Sequence, residues 1–254
     1  MAARRCGVSM ISVVVLLGLV ILLLAMLFPA LARLRSAAKT AQSINNMKQL
    51  GIAVHSYHDA FNSFPPLVGG DKFAKGSLHL HLLPFLEQDA LFKQGKDDWT
   101  EVMHRPVPLF TDDADPTAPP GHVFNDSLAT TNYAGNWKFF RDGGMTFANI
   151  PDGLSNTLMF TTRYQTCKGD PTAWAYNRLY YWAPMYAFYS HARFQLAPDK
   201  DACDSSLPQA LSADGILAGL GDGSVRTISG RCSPLTWRLA NDPADGMPLG
   251  DDFN

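Results

Sequence analysis

The stretch that decides the fold is residues 8–61, VSMISVVVLLGLVILLLAMLFPALARLRSAAKTAQSINNMKQLGIAVHSYHDAF. Residues 8–28 are apolar apart from Ser9, Ser12 and Gly18. A helix of about 20 apolar residues spans the hydrocarbon core of a membrane. The second part repeats apolar residues at steps of three or four, which is one stripe of an α-helix. We therefore predict one long helix, with a membrane-spanning half that continues into an amphipathic half.

Prolines mark the middle of this segment and the residues that follow it. Pro29 lies where the two halves meet, and a proline inside a helix removes a backbone hydrogen bond and crowds the preceding turn. We expect a kink or one loosened turn there. Residues 62–66, NSFPP, predict the end of the helix. Residues 62–254 are then long enough for one domain with its own core.

Cationic residues flank the apolar run on both sides: Arg4, Arg5, Arg33, Arg35 and Lys39. The positive-inside rule alone therefore does not fix the orientation. The short cationic segment 1–7 resembles the start of a signal sequence, which favours an N-terminus in the cytoplasm and residues 62–254 outside the cytoplasmic membrane. A removable secretory signal, cleaved at the sequence ALA of residues 30–32, is the competing interpretation.

Charge and cysteine content narrow the function classes. The net charge of −2 excludes a general nucleic-acid-binding surface. The four cysteines, Cys6, Cys167, Cys203 and Cys232, form no C-x-x-C pair, so a zinc ribbon is not expected. In an oxidising compartment the last three would give one disulfide and one free thiol. Three buried free thiols are the alternative.

Turn signals recur through residues 62–254. Asp-Gly pairs begin at Asp142, Asp152, Asp214, Asp222 and Asp245. Asp-Gly between two apolar runs predicts a β-hairpin, so residues 216–228 predict a hairpin and residues 157–161 another strand. The fold class that we predict is α+β, with the long helix packed on a mainly antiparallel sheet.

Three other segments have distinctive patterns. Residues 78–83 alternate before Pro84 and predict a strand with His79 and His81 on one face. Residues 85–94 predict a short helix, and residues 112–121 predict a loop rich in Pro and Asp. Residues 174–194 are strongly aromatic, which fits a core strand pair with a loop. They fit equally well a surface, centred on Tyr181 and Trp182, that stacks a sugar or packs against a partner.

Histidines offer two candidate metal sites. His55, His58 and Asp59 are spaced i, i+3, i+4 on the predicted helix, which can ligate a metal. No H-E-x-x-H motif is present, and polar packing at the helix end is the favoured interpretation. His79 and His81 would need a third ligand that the sequence does not place, so a polar sheet face is favoured for them.

Oxygen ligands and glycine loops give weaker signals. Asp112, Asp113 and Asp115 suit calcium by ligand type, but their spacing is not that of an EF-hand, and a solvated acidic loop is favoured. Residues 219–223, GLGDG, lack the third glycine and the following helix of a dinucleotide loop, so a hairpin is favoured. The chain has no G-x-S-x-G, P-loop or C-x-x-C motif, so we expect no enzymatic activity.

A family resemblance follows from these residues taken together. A cationic leader ends in Gly7, an apolar stretch follows, and Pro29 precedes an amphipathic continuation, which resembles the N-terminus of type IV prepilins and pseudopilins. Further stretches resemble, in order, the prepilin-like proteins with a DUF1559 domain that are abundant in planctomycete bacteria. These stretches are residues 45–51 (NNMKQLG), 55–59 (HSYHD), 64–66 (FPP), 82–88 (LLPFLEQ), 131–135 (TNYAG), 152–157 (DGLSNT) and 222–226 (DGSVR).

The resemblance implies specific processing and pairing. A prepilin peptidase would cleave between Gly7 and Val8, Val8 would be methylated, and the long helices would pack side by side with other pilin-like subunits. Relatives often have cysteines at the positions of Cys167 and Cys203, which favours that disulfide. Related pseudopilins have calcium-binding loops. In this family a glutamate usually stands where this chain has Ser12.

Three hypotheses for function result. The leading one is a non-enzymatic, pseudopilin-like structural protein of a type II secretion or type IV pilus-like system, a single-pass protein of the cytoplasmic membrane with a periplasmic C-terminal domain. No cofactor is expected, with calcium as the one ion considered. The alternative is a permanently anchored binding module for a carbohydrate or a partner protein, which Ser12 favours. An anchored hydrolase is the third, and no motif supports it.

Overall fold

The computed structural model describes residues 10–70, 73–141, 145–187 and 192–253. By internal contacts the chain divides into two compact units, Met1–Ala41 and Gln42–Asn254. Helix α1, Met10–Phe61, begins in the first unit and ends in the second. Its final part, residues 42–61, is therefore integral to the globular unit. The leader predicted for residues 1–7 lies outside the described residues.

Short elements make up the rest of the globular unit. The helices that follow α1 are α2 (Leu78–Leu82), α3 (Asp89–Gly95), α4 (Trp137–Phe140) and α5 (Pro234–Asn241). The first strands are β1 (Val123–Phe124), β2 (Leu128–Ala129), β3 (Tyr133–Asn136), β4 (Leu158–Thr162), β5 (Thr166–Cys167) and β6 (Asp170–Pro171). The later strands are β7 (Met185–Tyr186), β8 (Gln195–Leu196), β9 (Gln209–Ala210), β10 (Gly215–Leu220) and β11 (Val225–Ser229).

The central sheet has the strand order β11-β10-β4-β3-β7. Strands β11, β10, β4 and β3 pair antiparallel, and only the short edge strand β7 runs parallel to its neighbour β3. The hairpin β10–β11 turns through Asp222 and Gly223, where Gly223 has a φ of +81°. The α+β prediction with a mainly antiparallel sheet is confirmed, as are the hairpin over residues 216–228 and the strand over 157–161.

Both faces of this sheet are covered, which explains the nearly continuous apolar sequence of β10. Leu217 packs in the core cluster that includes the buried side chains of α1. Ile216, Ala218 and Leu220 pack in a second cluster with Trp237 of α5. Because side chains alternate along a strand, one strand supplies both clusters.

Helix α1 contributes one face to the first core cluster. Met47, Leu50, Ala53, Val54 and Tyr57 are each at most 1% exposed. At about 1.5–3 kcal/mol for each large apolar side chain, this face stabilises the docked helix by on the order of 10 kcal/mol before entropy is subtracted.

Two glycines allow the close approach of helix and hairpin. A Cβ added at Gly51 would lie 3.3 Å from the Cα of Gly223, and one added at Gly219 would lie 3.1 Å from Met47. The stretches NNMKQLG and DGSVR therefore meet in space. Bulkier residues at these positions would separate α1 from β10 and β11.

The N-terminal part of α1 has a different surface. Its described large apolar side chains are largely exposed: Met10, Ile11, Val13, Val15, Leu16, Leu17, Leu19, Ile21, Leu22, Leu31 and Leu34. Among the residues whose placement is described, no helix meets the length and apolarity required to span a membrane. The helical backbone continues through Pro29, and the kink expected there stays a prediction.

The strand predicted for residues 78–83 is wrong. Residues Leu78–Leu82 form helix α2, whose N-terminus is capped by the Ser77 hydroxyl, and Pro84 lies in the 3-10 turn that follows. A short apolar run does not distinguish a strand from a buried helix by periodicity alone. The helix predicted for residues 85–94 is α3, shifted towards the C-terminus.

Candidate functional site

Ser43 and Asn46 of α1 make polar contacts with the loop that begins at Thr111. The hydroxyl of Ser43 donates to the carboxylate of Asp112, and the amide of Asn46 donates to the carbonyl oxygen of Thr111 at 3.4 Å. Because Ser43, Asn46 and Asp112 are buried, these bonds replace contacts with water and fix where the helix enters the globular unit. The loop predicted for residues 112–121 thus contacts the helix.

Asn132 is the centre of a buried polar network. Its amide nitrogen donates to Asp115 Oδ2 at 2.7 Å and to the carbonyl oxygen of Arg163 at 2.9 Å. Its amide oxygen accepts from the backbone N–H of Asp112 at 2.8 Å and from Gln165 Nε2 at 2.7 Å. All four hydrogen-bonding positions of this buried side chain are therefore used. Asn132 joins the acidic loop to strands β3 and β4.

Asp115 is a buried carboxylate in the same network. It accepts from the backbone N–H groups of Thr117 and Gln165, from the Thr117 hydroxyl and from Asn132. Burial raises the pKa of Asp115 above its usual range, while these donors act in the opposite direction. The carboxylate fastens the loop and does not face solvent.

The three aspartates considered for calcium have different surroundings. Asp112 and Asp115 are buried and hydrogen-bonded as described, whereas Asp113 is exposed, with its carboxylate 3.6 Å from His122 Nε2. Within the described ranges, no three His, Cys, Asp or Glu side chains form a group that could hold a metal ion. The geometry of these residues therefore adds nothing to the calcium hypothesis.

The histidines singled out by sequence lie in packing positions. His55 donates from Nε2 to the carbonyl oxygen of Gly221 at 2.9 Å, and the ring of His58 packs against Phe147 at an interplanar angle of 46°, with centroids 4.0 Å apart. His79 is buried edge-on to Phe110, and burial lowers its pKa to about 3. The strand face predicted for His79 and His81 does not exist, since residues i and i+2 of a helix point in different directions.

Aromatic side chains near residue 180 form a continuous, partly exposed cluster, which we call the aromatic surface: Trp99, Tyr176, Tyr180, Tyr181 and Trp182. Successive ring centroids are 5.6 Å apart for Trp99–Tyr176, 5.7 Å for Tyr176–Trp182, 5.7 Å for Trp182–Tyr180 and 5.5 Å for Tyr180–Tyr181. Tyr180 is 46% exposed, and none of the other four is fully buried. The structure thus brings the predicted pair Tyr181 and Trp182 to the surface beside three further aromatic residues.

Arg163, the residue after β4, anchors the backbone of residues 181–185 through hydrogen bonds. Its Nη1 donates to the carbonyl oxygens of Ala183 (3.1 Å) and Met185 (3.0 Å), and its Nη2 donates to those of Tyr181 (2.6 Å) and Ser205. Burial lowers the pKa of Arg163 to about 10, which leaves the guanidinium charged at neutral pH. Sequence reasoning missed Arg163, because no local pattern marks an arginine that binds backbone carbonyls.

A disulfide bond is present in the globular unit. Cys167 and Cys203 are bonded, with their Cα atoms 5.8 Å apart, and Cys232 is a buried free thiol. Lys168 and Lys200 are among the residues that line an open cavity of about 550 Å³. Asp201 also lines this cavity, and Asp204 interacts electrostatically with Lys168, so acidic groups accompany the positive charge.

Several predicted positions lie outside the described residues: Gly7 and Val8 of the processing site, Asp142, and residues 188–191 of the aromatic run. Gly219 and Leu220 of the glycine run end strand β10, and residues 221–223 lie in the turn to β11, so the run is part of a hairpin, as favoured from its sequence.

The elements described above define a class of protein, an α+β globular domain that includes the C-terminal end of a long N-terminal helix. Residues 32–102 match the model of a family described as a protein of unknown function (DUF1559). The match covers the second half of α1 together with α2 and α3, and it confirms the DUF1559 resemblance. No curated protein and no solved structure was found to match the chain.

Proposed function

We propose that this DUF1559 protein is a membrane-anchored, pilin-like structural protein that assembles through its long helix in a type II secretion or type IV pilus-like system, without enzymatic activity. The observation that carries this proposal is the two-part surface of α1. Its N-terminal part exposes large apolar side chains, and its C-terminal part is buried in the globular unit. Exposed apolar side chains along a helix require cover by lipid or by other apolar helices.

The proposed topology has the N-terminus in the cytoplasm and residues 62–254 outside the cytoplasmic membrane. The apolar sequence of residues 8–28 supports a single anchor. The Cys167–Cys203 disulfide supports an extracytoplasmic globular unit, because disulfides persist in oxidising compartments. Calcium remains a secondary suggestion that rests on the resemblance alone.

The decisive experiment is the intact mass and N-terminal sequence of the protein extracted from the membranes of its native host. Cleavage by a prepilin peptidase would give a chain that begins at methylated Val8. A Gly7→Val variant should stay uncleaved, because it changes the residue before the cut. Ala3→Val makes a similar small-to-branched change elsewhere in the leader and should be processed normally.

Each alternative start of the chain has its own meaning. A chain that retains Ala2 or Met1 would refute pilin-type processing and identify an ordinary signal anchor. A chain that begins after residue 32 would refute the anchor itself.

The alternative function is an anchored binding module that does not assemble. The aromatic surface favours it, because exposed aromatic rings with polar tips are enriched at binding sites. Retention of the leader combined with ligand binding at that surface would make this alternative the better description.

A further inference from the structure

We infer that the aromatic surface binds a neutral oligosaccharide, with one sugar ring packed against Tyr180 and Tyr181 and one hydroxyl group inserted into the small cavity that these two residues help to line. This inference deepens the binding-module alternative by naming its ligand class. It does not depend on whether the long helix assembles, because the site lies entirely within the globular unit.

The shape of the surface suits a sugar ring. Most neighbouring rings meet at steep angles: 72° for Trp99–Tyr176, 60° for Tyr176–Trp182 and 80° for Tyr180–Trp182. The rings therefore form a stepped wall and not one flat apolar plane. The C–H groups of a pyranose ring can pack on an aromatic face, while its hydroxyl groups stay in water or meet nearby polar atoms.

A small cavity adjoins Tyr180 and Tyr181. Arg163, Tyr180, Tyr181, Ser205 and Ser206 are among the residues that line it, and its volume is about 10 Å³. A cavity of this size holds one water molecule or one hydroxyl group. It cannot admit a whole sugar ring or an apolar side chain of a partner protein.

Arg163, one of the residues that line the cavity, has an unused hydrogen-bond donor. The Arg163 side chain is buried, and its Nε has no hydrogen-bond partner among the described residues, although its other two nitrogens donate to four carbonyl oxygens. A buried N–H group requires an oxygen acceptor. A sugar hydroxyl oxygen supplies this acceptor and fits the volume.

The charges around Arg163 favour a neutral ligand. Asp170 and Asp204 interact electrostatically with the Arg163 guanidinium and stabilise its charge. The Asp170 carboxylate also accepts from Trp182 Nε1 at 2.9 Å and from the Ser205 hydroxyl at 3.2 Å. The positive charge below the surface is therefore already balanced, and an acidic ligand would meet these carboxylates.

The surface is also organised before binding. The four carbonyl bonds of Arg163 fix residues 181–185 and Ser205. A site whose backbone is already held in place loses less conformational entropy on binding.

The test uses the full chain, purified in a zwitterionic detergent without a sugar headgroup. The probes are cellohexaose, maltohexaose, mannohexaose and chitohexaose, and binding is followed by the fluorescence of Trp99 and Trp182 and by calorimetry. We expect saturable binding of at least one probe. Tyr180→Ala and Tyr181→Ala should each weaken it about tenfold, while Tyr180→Phe, which keeps the ring, should bind as the wild type does.

Two further variants separate the parts of the inference. Leu179→Ala removes a neighbouring side chain that is 44% exposed but not aromatic, and it should leave binding unchanged. Ser206→Leu fills the cavity and should weaken binding about tenfold, since the inserted hydroxyl loses its place.

Several results would overturn the inference. The first is no saturable binding of any of these probes by protein with wild-type circular dichroism. The second is binding of oligogalacturonate in their place. An equal loss with Leu179→Ala and Tyr180→Ala would indicate general apolar adhesion, and unchanged binding by Ser206→Leu would remove the cavity from the site. None of these results bears on the processing at Gly7 that tests assembly.

Discussion

Acidification should destabilise the globular unit through His79. This side chain is fully buried against Phe110, and burial lowers its pKa from 6.5 to about 3. In the unfolded chain the same imidazole is in water and takes up a proton near its ordinary pKa. As the pH falls below about 6.5, the unfolded state therefore binds a proton that the folded state does not bind. The free energy of unfolding decreases as a result until about pH 3.

The size of the effect follows from these two pKa values. At about pH 5 the uptake of the proton by the unfolded chain costs about 2 kcal/mol of stability, relative to a pH of about 7.5. A domain of this size loses about 2–4 °C in Tm for each kcal/mol. His79 alone should therefore lower the Tm by about 4–8 °C over this interval.

The assay compares thermal unfolding of the wild type and of His79→Gln at both pH values, in the full chain in detergent. The buried Trp174 and Trp237 report on loss of the core by their fluorescence. The Tm of the wild type should fall further than that of the variant, and His104→Gln, at an exposed histidine, should behave as the wild type does. Parallel decreases in wild type and His79→Gln would refute the reasoning, because they would show that His79 titrates alike in both states.

Three other substitutions test the packing of the globular unit, with urea unfolding as the measurement. Asn132→Leu removes four hydrogen bonds and leaves their buried partners unsatisfied, so it should lower the free energy of unfolding by about 4 kcal/mol or more. A decrease below about 1 kcal/mol would contradict the importance of this network. Cys203→Ser opens a disulfide with a sequence separation of 36 and should cost about 4 kcal/mol, with a matching loss when the wild type is reduced. Gly51→Leu forces side-chain atoms against Gly223 and should cost about 1–3 kcal/mol, whereas Ile52→Leu at the neighbouring exposed position should be nearly neutral.

Local patterns predicted the parts of the fold that depend on local physics. Within the apolar stripe of residues 31–61, the part from Met47 to Tyr57 predicted the helix face that is buried, whereas Leu31, Leu34 and Phe61 are exposed. Asp222-Gly223 between two apolar runs predicted the hairpin. Both signals arise from periodicity and turn geometry, which a single sequence contains. The strand predicted for residues 78–83 was wrong because it relied on periodicity alone, and such a short apolar run fits either a strand or a buried helix.

The polar interior could not be predicted in this way. Asn132 meets Asp115 and Gln165, which are distant from it in sequence, and Arg163 binds carbonyl oxygens that any residue type could provide. The stretch TNYAG, which marked the family resemblance, did contain Asn132. A buried side chain that uses all its hydrogen-bonding positions is one physical reason for such a stretch to be specific.

The docking of α1 along its own axis has a mechanical consequence. The contacts of residues 43–57 follow one another along the helix. Hydrogen bonds to Asp112 and Thr111 come first, and a row of buried apolar side chains follows. Tension applied along the helix would load this row in shear, so that many contacts must fail together. A force directed across the helix would instead open them one at a time. The globular unit is therefore suited to resist pulling through its own helix better than peeling away from it.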